Sequence, residues 1–312
     1  MRAKTGIERG DVQGTSPKRG RPVGIGTFVA LAVLLVGIGI VAYPTVSNWW
    51  NDLHQSQAID SYVKAVDEMP QEEIDRRLAE AEAYNDALLD KPGRFVMTDE
   101  ERSEYNRILD IDGSGIMGYI EVPSLHIRYP LRHGTAEDAL QVSIGHIEGT
   151  SFPVGGTATH AAVSGHRGLP SATLFSDLDD MRPGDRFSVT VLDRTVTYEV
   201  DQIRIVDPGD TADLAIDLDG DYMTLVTCTP YAINSHRLLV RGHRTENAAQ
   251  ATASNASRVP TYLVIIAIAL PLVVIFLGVS VIMDKRRPTR QEMREALRRM
   301  REQKGGSDDE SD

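Results

Sequence analysis

The sequence holds a single cysteine, Cys228, in 312 residues. One cysteine cannot form a disulfide within its own chain, so no covalent bridge supports the fold. The eight histidines show no H-x-x-x-H spacing and no clustering with cysteine, which argues against a metal centre. We therefore expect neither a metal nor another cofactor. Two interpretations of Cys228 remain, a small buried side chain or a reactive thiol.

The chain also lacks an excess of basic residues, with 33 Lys and Arg against 45 Asp and Glu. Nucleic-acid-binding proteins neutralise phosphates with Lys and Arg, so we expect no nucleic-acid partner. The charge is unevenly distributed: residues 51–259 carry 18 basic and 35 acidic side chains, whereas residues 1–50 carry six and two. The sequence thus predicts an acidic middle part between basic ends.

Two long uncharged runs lie next to those ends. Val23–Tyr43 has 21 residues and Val259–Met283 has 25. About 20 apolar residues in a helix cross the roughly 30 Å of hydrocarbon in a bilayer, so both runs are predicted membrane spans. A cleavable signal peptide is the alternative for the first run, but the run is longer than usual and no clear cleavage site follows.

The flanks of these runs predict the topology. Basic residues directly precede the first run and directly follow the second, so the positive-inside rule puts both termini in the cytoplasm and the middle outside. We predict a two-pass protein of the cell membrane. Its divisions are a cytoplasmic segment (1–22), a span (23–43), an extracellular helical region (44–104), a β-rich domain (105–246), a linker (247–258), a second span (259–283) and a cytoplasmic tail (284–312).

The helical region contains two amphipathic patterns. Apolar residues recur every three or four positions over 59–69 and again over 74–88, with Pro70 as the start signal of the second helix. We predict that both apolar stripes dock on the core of the domain that follows. Trp49 and Trp50 have two interpretations, an anchor at the membrane interface or packing for the next helix.

From residue 115 onward the chain consists of short β-type runs. Because no helices alternate with them, they indicate a closed barrel. In the run over 195–206 the apolar parity changes after Val200, which predicts a β-bulge. The seven strand candidates are 115–122, 126–131, 161–165, 187–192, 195–206, 222–228 and 237–241.

The segment around Cys228 reads as strand, loop, strand. Residues 222–228 are rich in β-branched side chains, Pro230 cannot continue a ladder, and Arg237 opens the next apolar run. Side chains alternate along a strand, so the thiol at the end of one strand can face the guanidinium that begins its neighbour.

Several motifs together resemble class C sortases, the pilus-assembling cysteine transpeptidases of Gram-positive bacteria. They are T-L-V-T-C-T-P-Y around Cys228, N-x-H-R-L-L-V-R-G around Arg237, S-G-H-R-G-L-P around His166, and I-M-G-Y-I-E-V-P with L-R-H-G-T earlier in the domain. The resemblance covers roughly 140 of the 312 residues. It implies a mainly β fold, an eight-stranded sortase-type barrel, here with N-terminal helices and two flanking transmembrane helices.

The resemblance implies a catalytic trio of Cys228, His166 and Arg237. A thiolate is nucleophilic near neutral pH, a histidine can give and take a proton, and an arginine offers fixed donors to a developing oxyanion. Arg241 is the alternative arginine, because it shares a strand face with Arg237. No metal takes part in this chemistry.

The implied substrate is an LPxTG-like sorting signal, cut after Thr to form a thioacyl enzyme that a pilin lysine then resolves as an isopeptide bond. The neighbours of the cysteine, namely Thr227, Thr229 and Pro230, are predicted to contact this substrate. The expected partners are therefore pilin subunits that carry a sorting signal and an acceptor lysine, together with the membrane.

The lid of the family has no clear counterpart. Class C sortases usually lay an Asp-Pro-aromatic motif into the site, and residues 91–103 contain no such motif. We predict a hinge-like connection there, in which Phe95 or Met97 is the candidate lid residue. A plain linker is the alternative.

Two other functions stay open at this stage. One is a sortase that anchors surface proteins to cell-wall precursor, which differs only in the nucleophile. The other is a non-enzymatic membrane receptor or adhesin, in which Cys228 would resist alkylation because it is buried and structural.

Overall fold

The computed structural model describes residues 25–169 and 172–247, with scattered helical positions between 268 and 300. The predicted segment 1–22 lies outside the described residues, as do most of the linker, the second apolar run and the tail. The predictions for those segments stay predictions. A compact unit from Val41 to Ala267 contains all the strands described below.

The first helix, α1, runs from Ile25 to Asp67 over 43 residues, with Pro44 inside it. It joins the predicted span and the predicted helix over 59–69 into one element. Among the described residues, this one helix is long and apolar enough to cross a membrane, by length and composition only.

Helix α2 (Gln71–Leu89) begins directly after Pro70, as predicted. A third helix, α3 (Asp99–Arg107), overlaps the C-terminal part of 91–103, where the sequence predicted a hinge-like connection and no helix. It begins with a capping box: the Thr98 hydroxyl accepts from the Glu101 N–H, and the Glu101 carboxylate accepts from the Thr98 N–H at 2.8 Å. The T-x-x-E pattern was the available signal for this helix.

Eight strands close into a barrel in the order β1-β2-β3-β4-β7-β8-β6-β5, which confirms the predicted architecture. Pairs β2–β3 and β4–β7 are parallel and the other neighbours are antiparallel. The strands are β1 (Ile116–Val122), β2 (Ile127–His133), β3 (Ile144–His146), β4 (Thr159–Ser164), β5 (Arg186–Val191), β6 (Arg194–Val206), β7 (Asp221–Thr229) and β8 (His236–Thr245).

The sequence did not predict strand β3, but it did predict the bulge in β6. Strand β3 has only three residues with Gly145 in the middle, too short to show an alternating pattern. The predicted bulge in β6 is confirmed, because the pairing with β8 shifts between Val200 and Gln202. A short helix, α4 (Glu137–Leu140), precedes β3.

The barrel has a large interior core and a smaller apolar cluster on its outer face. The interior contains Val163, Leu225 and Val240, and the buried faces of the helices join the same core, as predicted. The helix residues in this core are Tyr62, Val66, Ile74, Leu78, Ala81 and Tyr105. The next residues along the same strands, such as Val226 and Leu239, form the outer cluster with Ala162, Val206 and Leu214. Cys228 shares the outer face with Val226 because side chains alternate along β7.

Candidate active site

Strands β7 and β8 bring Cys228 and Arg237 together. The strands are antiparallel and these two residues are direct partners, so their side chains project to the same face about 5 Å apart at Cβ. The loop between the strands begins at Pro230, whose carbonyl accepts from the Ile233 and Asn234 N–H groups at 3.1 and 2.9 Å. The register thus makes Cys228 and Arg237 cross-strand neighbours, as strand alternation predicted.

His166 reaches the same place from β4. In the register of the parallel pair β4–β7, His166 is level with Cys228 one strand away. Two bonds extend the pairing past the end of β4. The Gly165 N–H donates to the Val226 carbonyl at 3.1 Å, and the Thr227 hydroxyl donates to the Gly165 carbonyl at 2.8 Å. His166 just past the end of β4, Cys228 on β7 and Arg237 on β8 are therefore neighbours across the sheet, in that order.

The two candidate arginines have different surroundings. The Arg241 guanidinium makes two bonds to the Asp201 carboxylate, at 3.0 and 2.9 Å, and lies 4.5 Å above the ring centre of Tyr222. Arg241 is also four residues along β8 from Arg237, or about 13 Å at the usual rise of a strand. Among the described residues, Arg237 bonds only to backbone carbonyls, at 3.1 and 3.4 Å. Arg237 is thus the arginine with donors available beside Cys228.

The predicted substrate-contacting residues do not share the face of the thiol. Thr227 and Thr229 flank Cys228 on β7, so their side chains turn to the opposite face, where both are buried. The Thr227 hydroxyl bonds to Gly165, and the Thr229 hydroxyl accepts from Arg167 at 3.4 Å. Both threonines support the histidine loop in this geometry, and only Pro230 of the three is exposed.

Arg167 was not singled out from the sequence, although it stands beside His166 in the S-G-H-R-G-L-P motif. Its side chain is 8% exposed and pairs with the Asp179 carboxylate at 2.5 Å. The guanidinium also lies 5.8 Å from the ring centre of Tyr231, in the loop after β7. Arg167 therefore ties the loop of His166 to the loop that follows Cys228.

Glu137 at the start of α4 is a second residue that the sequence analysis missed. Its Oε1 lies 3.3 Å from Nε2 of His166. No motif surrounds Glu137, and only the fold brings α4 beside the end of β4. Among the described residues, no group of three or more His, Cys, Asp or Glu side chains is arranged to hold a metal ion.

Proteins of known family and known structure are similar to this chain. The Sortase domain family matches residues 120–245. The crystal structure of sortase C1 from Streptococcus agalactiae is 50% identical, and the match covers 62% of this chain and 100% of that one with a TM-score of 0.60. The chain belongs to the sortase family. Sortase C from Streptococcus pneumoniae is 44% identical, with a TM-score of 0.56 over 62% of this sortase and 99% of that chain.

These structural relatives are pilus-related class C sortases, which confirms the resemblance seen in the sequence. A more distant relative, Sortase D of Bacillus subtilis, is 27% identical over 115 residues, which is 37% of this sortase and 55% of that protein. The apolar helix α1 fits the membrane anchor of a sortase.

The candidate lid segment of this sortase lies against the barrel. Phe95 packs on the outer cluster that contains Val226, whereas Met97 packs against the interior core. The Arg94 guanidinium lies 4.8 Å from the Phe95 ring centre and donates to the Leu214 carbonyl at 2.6 Å. Phe95, not Met97, therefore lies on the outer face of the barrel, the face that Cys228 shares with Val226.

Proposed function

We propose that this sortase is a cysteine transpeptidase that polymerises pilin subunits. The observation that carries the proposal is the register of β4, β7 and β8, which sets His166 and Arg237 on either side of Cys228. The similarity to class C sortases from two streptococci supports the choice of pilin as substrate.

In the first step, the Cys228 thiolate attacks the Thr carbonyl of an LPxTG-like sorting signal. Arg237 donates hydrogen bonds to the oxyanion that develops on that carbonyl oxygen. The peptide bond to the following glycine breaks, and His166 gives its proton to the departing amine. The products are a thioacyl enzyme with a neutral His166 and a released glycine amine.

In the second step, a pilin lysine amine attacks the thioacyl carbon. The carbon–sulfur bond breaks, the electron pair returns to Cys228, and His166 accepts a proton from the attacking nitrogen. The result is an isopeptide bond between two pilin subunits. Two membrane spans with both termini in the cytoplasm would hold this site on the outer surface, where sorting signals arrive.

The proposal is tested with the full chain in detergent or lipid nanodiscs, mixed with a candidate pilin that carries a sorting signal. Mass spectrometry should find a thioacyl adduct on Cys228 and an isopeptide cross-link between pilins, and Cys228→Ala should give neither. An adduct that transfers only to wall-precursor amines would replace pilin polymerisation by wall anchoring. A Cys228 that resists small alkylating agents and forms no adduct would favour a receptor or adhesin.

A further inference from the structure

Glu137 is held in a defined place by the packing of α4 on the barrel. Leu140 of α4 is buried, and its Cδ2 would lie 2.9 Å from a Cβ added at Gly145 of β3. The Ser143 hydroxyl donates to the Ala139 carbonyl at 2.6 Å, and the Gln55 side chain of α1 donates to the Val142 carbonyl at 2.9 Å. A Cβ at Gly145 would also lie 2.2 Å from the Gly134 carbonyl oxygen, so the glycine in β3 allows the close approach of the segment that leads into α4.

The carboxylate of Glu137 lies beside the imidazole and remains open to solvent. Its Oε1 is 3.3 Å from Nε2 of His166 and accepts from Nε2 of Gln141 at 2.6 Å. The Glu137 side chain is 73% exposed, whereas Nε2 of His166 is shielded from solvent and makes no aligned hydrogen bond. The contact is thus close enough for charge attraction, and the outer side of the carboxylate is free to bind a cation from solution.

Cys228 has different neighbours on its two sides in the sheet. Arg237 on β8 lies on one side, and His166 at the end of β4 lies on the other, with Glu137 beyond it. The acyl group of the donor takes the hydrogen-bond donors of Arg237, so the second substrate must approach from the histidine side. A negative charge at that entrance suits a positively charged nucleophile.

From this arrangement we infer that Glu137 binds the ammonium group of the acceptor lysine and delivers it to His166. The inference rests on the proposed transpeptidase function and adds to it the residue that selects the acceptor. An ammonium enters with three protons on nitrogen, and the isopeptide nitrogen keeps one. His166 takes one proton and water takes the other, while Glu137 stays ionised throughout and only holds the cation.

The test compares a charged and an uncharged nucleophile on the full chain in nanodiscs. A fluorescent sorting-signal peptide acylates Cys228, and the thioacyl enzyme is resolved by a lysine peptide or by hydroxylamine, which is uncharged near neutral pH. In Glu137→Gln we expect the half-saturating lysine concentration to rise about fivefold, the equivalent of roughly 1 kcal/mol for an exposed ion pair. This loss with lysine should exceed any change in acylation or in the reaction with hydroxylamine, because those two reactions use His166 but bind no ammonium group.

Two further variants sharpen the comparison. Glu137→Asp keeps the charge and should recover most of the lysine affinity. Asp207→Asn is the matched control, because Asp207 is also exposed and faces another histidine, His236, at 3.7 Å, but follows β6 on the arginine side. It should leave the half-saturating lysine concentration unchanged.

Three results would overturn the inference. An unchanged lysine dependence in Glu137→Gln would show that the carboxylate does not bind the acceptor. Equal losses with lysine, hydroxylamine and acylation would show that Glu137 only positions His166. If the unsubstituted chain formed no thioacyl adduct at all, the proposed function would fail first, and the absence of acylation would identify that failure.

Discussion

At the scale of single residues, Arg237 and Arg241 differ in what holds their guanidinium groups. Both lie on the outer face of β8, so the sequence left Arg241 as the alternative to Arg237. Asp201 on β6 neutralises Arg241 and fixes it over Tyr222. Two of the five N–H donors of Arg241 are committed to Asp201, and this pairing holds the guanidinium away from a transient oxyanion at Cys228. Arg237 keeps its donors beside Cys228.

Substitution of the two arginines should therefore separate catalysis from stability. Arg237→Ala should slow acylation of Cys228 by about 10²- to 10³-fold, the usual cost of losing an oxyanion donor. Arg241→Ala should leave acylation nearly unchanged and lower the free energy of unfolding by about 1 kcal/mol, because Asp201 loses its partner. Single-turnover acylation and urea unfolding measure the two effects. Normal acylation in Arg237→Ala with loss in Arg241→Ala would reverse the assignment.

At the scale of elements, the segment before α3 lies on the outer face of the barrel without the family's lid motif. Phe95 packs on the outer cluster, which includes Val226, two residues before Cys228 on the same strand face. No carboxylate in the described part of the chain pairs with Arg237, so the polar half of a family-type lid contact is missing. We therefore expect a weak apolar cover at this position.

If Phe95 is only a weak cover, its removal should change the access of reagents to the Cys228 thiol very little. Phe95→Ala should change the rate of Cys228 alkylation by less than about tenfold, or roughly 1.4 kcal/mol. Met97→Ala is the matched control, since Met97 packs on the interior core. A small methanethiosulfonate reagent with mass-spectrometric detection measures the rate. Acceleration of a hundredfold or more in Phe95→Ala would show a true lid.

The contact between α3 and β3 depends on a neutral histidine. Burial lowers the pKa of His146 to about 3. Its Nδ1 faces the Tyr105 hydroxyl at 2.8 Å, and its Nε2 donates to the Ser151 carbonyl at 2.8 Å. In the unfolded chain the imidazole binds a proton below about pH 6.5. Between pH 6.5 and about 3, the unfolded state thus binds more protons, and stability falls as the pH falls.

His146→Gln should flatten this pH dependence. From pH 7 to pH 5, the free energy of unfolding should fall less in the variant, because one His146 contributes up to about 1.4 kcal/mol per pH unit below its unfolded pKa. Burial also lowers the pKa of His133 and His160, so some slope remains. Urea unfolding at a series of pH values measures the slopes, with exposed His243→Gln as control. Parallel slopes for all three proteins would contradict the role of His146.

At the scale of the whole molecule, the structure supports one membrane-spanning helix, and the sequence predicts a second. Helix α1 is long and apolar enough to span a bilayer, while the second apolar run lies mostly outside the described residues. The basic flanks of both runs predict that the catalytic domain faces outward.

Protease added to intact protoplasts tests this topology. The extracellular domain should be degraded, while epitope tags at both termini should be protected because both ends lie in the cytoplasm. Detergent-treated protoplasts serve as the control in which both tags become accessible. Loss of the C-terminal tag in intact protoplasts would leave only the first span in place.

Local pattern alone determined much of this sortase. Alternating strands predicted seven of the eight barrel strands and the bulge after Val200, and short motifs that resemble the family's made Cys228 and His166 the candidate site residues. These features are encoded by neighbouring residues, whose spacing reports directly on a strand or a turn. The length of the first apolar run likewise predicted a membrane-spanning helix.

Other features depended on contacts between segments that are far apart in the chain. Strand β3 exists because β2 and β4 pair with it on either side, and its own three residues carry no pattern. The pairing of Arg241 with Asp201 and the approach of Glu137 to His166 join different elements across the sheet. The inward turn of Thr227 followed from strand alternation, but its bond to Gly165 required the parallel partner β4. Only tertiary structure decides such contacts, because the closing of the barrel sets which distant residues become neighbours.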